Sequence, residues 1–157
     1  MSFEKAKKYL QEKGYEDHII ELEDSSATVQ LAAEALGVEP GMIAKTLSFL
    51  VSDTPILILA EGTARVDNHK YKDTFHVKAK MIPFDDVEEF IGHAPGGVCP
   101  FGIKEGIPVY LDESLKKFDT VYPAAGNDHS AVRLTIAELE DVAGACGWID
   151  VCKEILL

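Results

Sequence analysis

The stretch that decides the fold is Lys45-Thr46-Leu47-Ser48-Phe49-Leu50-Val51, followed closely by Ile56-Leu57-Ile58-Leu59-Ala60. Alternate residues of a strand lie on opposite faces, so Lys45 shares a face with Leu47 and Phe49, while Thr46 and Ser48 point the other way. The second run is apolar without interruption, which is typical of a central strand buried on both faces. Residues 52–55 supply the turn between them. The stretch therefore predicts two strands at the centre of a sheet.

Helical and strand-like patterns surround this pair without strict alternation. Strand patterns occupy residues 18–23, 107–111, 120–125 and 131–134. Helix patterns begin at Ser2, at Thr28, at Asp85 or Asp86, and at Thr135, where Thr135 and Glu138 form a capping box. This order predicts one α+β domain over residues 1–157, with a mixed, barrel-like sheet flanked by helices. The apolar tail from Trp148 to Leu157 is expected to pack down or to serve a partner.

Composition and charge argue against several classes of protein. The 157 residues carry a net charge of -12, which argues against a general nucleic-acid binder because such proteins neutralise phosphates with Lys and Arg. No apolar run is long enough to span a bilayer, and the first residues lack the layout of a signal peptide, so we expect a cytoplasmic protein. Three cysteines in irregular positions predict free thiols, with no metal centre and no cofactor.

A basic segment departs from this acidic background. Between residues 65 and 80 the chain holds Arg65, Lys70, Lys72, Lys78 and Lys80 against two aspartates, Asp67 and Asp73. A small basic patch of this kind could hold one end of a nucleic-acid strand. The alternative is a solvated helix face with ordinary surface charges.

Residues 92–102, with the sequence GHAPGGVCPFG, predict a loop of defined shape. Four glycines and two prolines in this span exclude a regular helix or strand. Glycines allow backbone N–H groups to converge on an oxyanion, a carboxylate or a phosphate. The alternative is a tight crossover without chemistry. The sequence leaves both interpretations open.

Two side chains near this loop carry further hypotheses. Lys45 begins an apolar strand face, so its ammonium either extends past the strand end or lies at the mouth of a pocket. Cys99 could act as a thiolate nucleophile with His93, or fill the loop as a neutral thiol. No Ser-His-Asp constellation is evident, and a zinc site built from His93, Cys99 and the distant cysteines is the weaker interpretation.

Four motifs together resemble a known family. They are Ala44-Lys45-Thr46-Leu47, Gly92-His93 leading into Gly96-Gly97-Val98-Cys99-Pro100-Phe101-Gly102, Val109-Tyr110-Leu111-Asp112-Glu113-Ser114-Leu115, and Ala124-Ala125-Gly126. With this spacing the chain resembles the YbaK/ProRS-associated editing domains over nearly its whole length. The resemblance implies hydrolysis of the ester between a wrong amino acid and a tRNA, most typically Ala or Cys on a proline tRNA.

The resemblance also implies roles for individual residues. Lys45 matches the family's functional lysine, and the loop residues Gly96, Gly97, Val98, Cys99 and Pro100 match its glycine-x-x-x-proline motif. Thr46, Asp112, Gly126 and His129 are the implied substrate-binding residues, and Arg65, Lys70 and Lys72 are the candidate tRNA contacts. The family is thought to need no protein nucleophile, because a ribose hydroxyl of the tRNA assists water. That feature assigns Cys99 to packing.

The implied partners are the acceptor end of a mischarged tRNA, a prolyl-tRNA synthetase and a second copy of the chain, with no membrane. A function of a different class also fits the sequence. In this alternative, a non-catalytic module of the same fold uses the loop to bind an amino acid, a nucleotide or a protein.

Overall fold

Two long antiparallel strands form the centre of the computed structural model, which describes residues 2–154. Lys45 pairs with Ala60 and Phe49 with Ile56 across them. The strands are β1 (Ile19–Glu21), β2 (Ala44–Val51), β3 (Thr54–Glu61), β4 (Ala64–Val66), β5 (Val109–Asp112), β6 (Thr120–Val121), β7 (Ser130–Val132), β8 (Leu134–Thr135), β9 (Gly147–Ile149) and β10 (Cys152–Glu154). The helices are α1 (Ser2–Glu12), α2 (Val29–Leu36), α3 (Asn68–Phe75), α4 (Val87–Ile91) and α5 (Ile136–Val142).

The main sheet is mixed, with the order β2-β3-β5-β9. β3 pairs antiparallel with β2 and parallel with β5, and β5 pairs parallel with β9. The remaining described strands form the two-stranded pairs β1-β7, β4-β10 and β6-β8. The mixed α+β class is therefore confirmed, but these sheets do not close into a barrel within residues 2–154.

β3 separates two apolar clusters, as its unbroken apolar run predicts. Leu57 and Leu59 belong to the larger cluster, whereas Ile56, Ile58 and Ala60 belong to the smaller one. Helix α3 packs on the smaller cluster through Tyr71 and Phe75. Both faces of β3 are thus covered by apolar residues. The neighbouring strand β2 therefore also has a different cluster on each of its two faces.

The predicted helix ends are confirmed. The Thr28 hydroxyl accepts a hydrogen bond from Leu31 N at 3.1 Å, and α2 ends at Gly37 with φ +71°. The capping box of α5 is complete, with Thr135 and Glu138 each bonded to the other's backbone. The side chain of Ser2, the predicted cap of α1, lies outside the described residues. The N-terminal caps of α2 and α5 were therefore predicted correctly from the sequence.

The strand that begins at residue 120 is shorter than predicted, whereas the tail packs down as predicted as far as residue 154. The strand predicted over 120–125 is confined to Thr120–Val121, because Pro123 has no N–H for a ladder. The tail packs down as β9 and β10, which pair with β5 and β4. Residues 155–157 of the predicted tail lie outside the described residues.

No helix in the described part of the chain is long and apolar enough to cross a bilayer.

Candidate functional site

A cleft of about 410 Å³ lies between β2 and the glycine loop. Its walls come from residues within 26–32, 43–48, 81–87, 95–98 and 122–131. Ser26 N donates to Asp128 O at 2.6 Å and joins the first of these segments to the last, and just before it in the chain Leu22 N donates to His129 O at 2.8 Å. Among the described residues that line the cleft, Lys45 is the single charged one. The site is therefore mostly apolar, with hydroxyl groups and one cation.

The glycine loop reaches the cleft through Pro95, Gly96 and Val98. Gly97 N donates to Ala94 O at 3.1 Å and closes a turn in which Gly96 adopts φ +92°. Within residues 2–154, the backbone N–H groups of Gly96 and Val98 are paired with no acceptor. Gly96 is exposed and Val98 is half-buried, so a ligand can reach this part of the loop and accept hydrogen bonds from both groups. The loop therefore has the composition of an anion site on the cleft wall.

Gly97 is buried against the turn that follows β6. A Cβ atom at this position would lie 2.6 Å from Gly126 C and 2.7 Å from Asn127 N. Gly126 itself has φ +96° and does not line the cleft. The structure thus places Gly126 behind the loop, where it fixes the loop position through backbone contact.

His93 and Cys99 form the buried base of the loop. His93 Nε2 lies 2.6 Å from Phe101 O, so this nitrogen carries the proton and donates it to the carbonyl. The Cys99 thiol is 3.5 Å from the same nitrogen, which is then unable to accept a proton from it. Burial raises the pKa of Cys99 to about 12 and lowers the pKa of His93. Cys99 is accordingly a neutral packing thiol in this geometry.

Lys45 and Thr46 occupy opposite faces of β2, as strand parity predicts. Lys45 contributes to the cleft lining, but its Nζ is directed to the turn between β3 and β4, where it donates to Gly62 O at 3.3 Å and to Ala64 O. Burial lowers the pKa of Lys45. Thr46 Oγ1 is buried on the cleft side and has no hydrogen-bond partner among residues 2–154. Thr46, a residue of the cleft lining, thus carries a buried, unpaired hydroxyl.

Asp112 and His129 lie outside the cleft lining. Asp112 is buried, and its carboxylate accepts hydrogen bonds from Ser114 N at 2.9 Å and Val151 N at 2.8 Å. His129 is exposed, with Nδ1 at 3.0 Å from Asp128 Oδ1. The structure therefore gives Asp112 a capping contact and His129 a surface contact, and it brings neither to the loop.

The basic segment lies on the other side of the main sheet. Its helix α3 packs on the cluster that contains Leu47 and Phe49, not on the face with Thr46. Lys70 Nζ contacts Asp150 at 3.1 Å and donates to Cys152 O at 3.0 Å, whereas Arg65 and Lys72 are exposed. None of these three candidate tRNA contacts lines the cleft.

Several cleft residues were missed by the sequence interpretation. Ser48 follows Thr46 by two positions and shares its face, so strand parity could have found it. Ser130, Ile82 and Phe84 come from short segments without a clear period, so no sequence signal marks them. Within residues 2–154, no three or more His, Cys, Asp or Glu side chains are grouped to hold a metal ion.

The fold and the cleft agree with a comparison at the family level. Residues 23–142 match the sequence model of the aminoacyl-tRNA editing domain, and the chain therefore belongs to that family. This range includes β2, the glycine loop and every described residue of the cleft lining.

Individual relatives cover most of the chain. It is 46% identical over 155 residues to YwhH, an uncharacterized protein of Bacillus subtilis (strain 168), covering 98% of this chain and 99% of that protein. EbsC of Enterococcus faecalis (strain ATCC 700802 / V583), a proposed Cys-tRNA(Pro)/Cys-tRNA(Cys) deacylase, is 28% identical over 122 residues, 76% of this chain and 74% of EbsC. The crystal structure of a proposed trans-editing enzyme for prolyl tRNA synthetase superposes with a TM-score of 0.87 at 31% identity, covering 97% of both chains.

Proposed function

We propose that this protein is an aminoacyl-tRNA deacylase that acts in trans on proline tRNA carrying cysteine or alanine. Membership of the editing-domain family supports a hydrolase of this class. The relative proposed to deacylate Cys-tRNA and the structural relative proposed to edit in trans support the substrate. A prolyl-tRNA synthetase is the partner this proposal implies.

The observation that carries the proposal is the pair of unpaired N–H groups of Gly96 and Val98 on the cleft wall. When water attacks an ester carbonyl, negative charge develops on the carbonyl oxygen. Fixed backbone donors stabilise that charge without reorganisation, and the loss of one such donor in other enzymes costs about 100-fold to 1,000-fold in rate. The loop would serve as the binding site for this oxygen.

The nucleophile in this proposal is water. Cys99 is buried, and its thiol has a pKa of about 12, so it holds no useful fraction of thiolate near neutral pH. The free ribose hydroxyl next to the ester would orient the water, accept its proton and pass its own proton to the ribose oxygen that leaves. The ester bond to the ribose oxygen then breaks, which releases a free amino acid and an uncharged tRNA.

The rest of the cleft would select the amino acid. Ile43 and Ala131 are buried apolar residues of its lining, and Thr46 Oγ1 is an unpaired hydroxyl beside them. A small side chain such as that of alanine or cysteine suits an apolar wall of this kind. In this proposal, Thr46 hydrogen-bonds the substrate's α-ammonium or ribose.

Lys45 would bind the tRNA once its ammonium group leaves its present hydrogen-bond acceptors. Its ammonium is held by the carbonyls of Gly62 and Ala64, and Lys45 is one of the residues that line the cleft. The long side chain can exchange these carbonyls for the terminal phosphate of the tRNA, a stronger acceptor because it is charged. Lys45 is therefore a binding residue in this proposal rather than a proton-transfer group.

A panel of mischarged tRNAs tests the proposal. Wild-type protein should hydrolyse Cys-tRNA(Pro) or Ala-tRNA(Pro) and spare Pro-tRNA(Pro). Lys45→Ala should fold and lose at least 10-fold in kcat/KM, and Lys45→Arg should retain more activity because the positive charge remains. Lys8→Ala is the matched control, since it removes an exposed lysine of α1 outside both the cleft and the basic segment. No hydrolysis across the panel, with amino-acid or nucleotide binding retained, would instead indicate a binding module.

A further inference from the structure

The rim of the cleft carries exposed apolar side chains. Phe84 is 74% exposed and Met81 is 56% exposed, and both line the cleft. The third large apolar residue of this kind in the described chain, Leu31, is 40% exposed and does not line it. A single exposed apolar residue needs no explanation, but two at one cleft entrance mark a binding surface.

This rim is held rigidly against β2. Ile82 N donates to Ser48 O at 3.1 Å, and Leu50 N donates to Lys80 O at 2.8 Å. Phe84 then begins a single 3₁₀ turn closed by the hydrogen bond from Asp86 N to Pro83 O at 2.8 Å. Buried Ile82 and Val87 anchor the turn on either side of it. The exposed ring of Phe84 thus stands on an anchored backbone turn, and we call this ring with its turn the platform.

The charges around this platform favour an uncharged, flat ligand. Asp85 and Asp86 follow Phe84 directly, and the whole chain has a net charge of -12, so a phosphate at this rim would be repelled. A nucleobase has no charge, and its face stacks well on an aromatic ring. The platform therefore fits the base of a nucleotide whose phosphates lie elsewhere.

We propose that Phe84, supported by Met81, stacks against the terminal adenine of the tRNA acceptor end. The inference rests on the proposed deacylase function, because it places the base at the rim while the aminoacyl ester lies deeper, at Gly96 and Val98. All five cleft segments surround one continuous space, so a terminal nucleoside can contact the rim and the loop together. Stacking also supplies affinity that needs no phosphate contacts, which suits an acidic protein.

The experiment uses an acceptor-stem RNA hairpin that carries no amino acid. Its terminal adenine is replaced by 2-aminopurine, a base whose fluorescence falls when it stacks. Titration with wild-type protein should quench the signal. Phe84→Ala should remove the quench and weaken binding about 10-fold, within the range seen when a stacking aromatic is removed. Phe84→Trp should retain both, and Phe84→Leu, which keeps apolar area without a ring face, should lose the quench. Leu31→Ala is the matched control and should bind as wild type.

Hydrolysis of mischarged tRNA supplies the second readout. Phe84→Ala should raise KM about 10-fold with little change in kcat, because stacking is present in both the ground state and the transition state. Quenching without hydrolysis by the wild type would uphold the stack and refute the deacylase. Wild-type quenching and affinity in Phe84→Ala, or in Phe84→Leu, would overturn the inference. Unchanged RNA binding by Phe84→Ala, together with loss of prolyl-tRNA synthetase in a pull-down, would also overturn the inference. That result would show that the platform binds a protein.

Discussion

Gly97→Ala should separate the glycine loop from the turn behind it. The added Cβ would lie 2.6 Å from Gly126 C and 2.7 Å from Asn127 N. Carbon atoms in normal contact are about 3.5 Å apart, so the two backbones must move apart by roughly 0.9 Å. Both contact atoms are backbone, so no side chain can rotate away. We expect a loss of about 1–3 kcal/mol in unfolding free energy, as for other overpacked sites.

The same displacement should reduce activity. If Gly96 and Val98 hold the reacting carbonyl oxygen, a shift approaching 1 Å costs about 100-fold in kcat/KM, because the donors no longer meet the developing charge. Steady-state hydrolysis of Ala-tRNA(Pro) and Cys-tRNA(Pro), with urea unfolding of the same preparations, measures both effects. Gly147→Ala is the control, since its Cβ would meet nothing within 4 Å. A Gly97→Ala protein with wild-type stability and wild-type turnover would refute the reasoning.

Three further predictions concern the thiols, a buried carboxylate and the basic segment. Iodoacetamide should modify exposed Cys146 in the native protein well before Cys99 and Cys152, because burial raises the pKa of each of these two thiols to about 12. Peptide mass spectrometry would detect the order of modification. Early modification of Cys99 would contradict this prediction. Burial acts to raise the pKa of Glu61, but hydrogen bonds from Thr63 and Lys117 leave it below its ordinary value of 4.5. A lowered carboxylate pKa stabilises the fold above the unfolded pKa, and this contribution disappears as the pH falls through the folded pKa. Glu61→Gln should therefore lose about 2 kcal/mol at pH 7 in urea unfolding, and progressively less as the pH falls below the ordinary value of 4.5. A loss that stays the same from pH 7 into the acid range would contradict this. Lys72→Glu should leave the salt dependence of hydrolysis unchanged if α3 stays clear of the tRNA, whereas a slope lower by about 0.9 would return the segment to the binding surface.

Local patterns predicted the parts of the fold that depend on neighbours in sequence. Parity along β2 placed Thr46 and Lys45 on opposite faces, and the unbroken apolar run placed β3 between two clusters. Caps at Thr28 and Thr135 marked helix starts because their hydrogen bonds span only three residues. Such interactions are readable because both partners lie within one window of sequence.

The features that the sequence did not reveal depend on distant contacts. Asp112 begins an Asp-x-Ser pattern that suits a cap as well as a pocket, and its second bond reaches Val151, which no local pattern reveals. β9 and β10 are three residues each, too short to show a period. The direction of the Lys45 ammonium depends on carbonyls 17 and 19 residues away. Sequence patterns therefore marked Lys45, Thr46 and the glycine loop as candidates, but they did not reveal how the side chains around the cleft are arranged.

The pairing of β1 with β7 has a consequence for biosynthesis. Ile19 pairs with Val132, and Ser26 N reaches Asp128 O, so one wall of the cleft joins segments more than a hundred residues apart. During translation, residues 19–26 cannot pair until residues 128–132 have left the ribosome, whereas the β2-β3 hairpin can form earlier. The hairpin would exist first as a scaffold, and the complete cleft would appear only near the end of synthesis. A nascent chain stalled before residue 128 is thus expected to contain the central strands but no competent site.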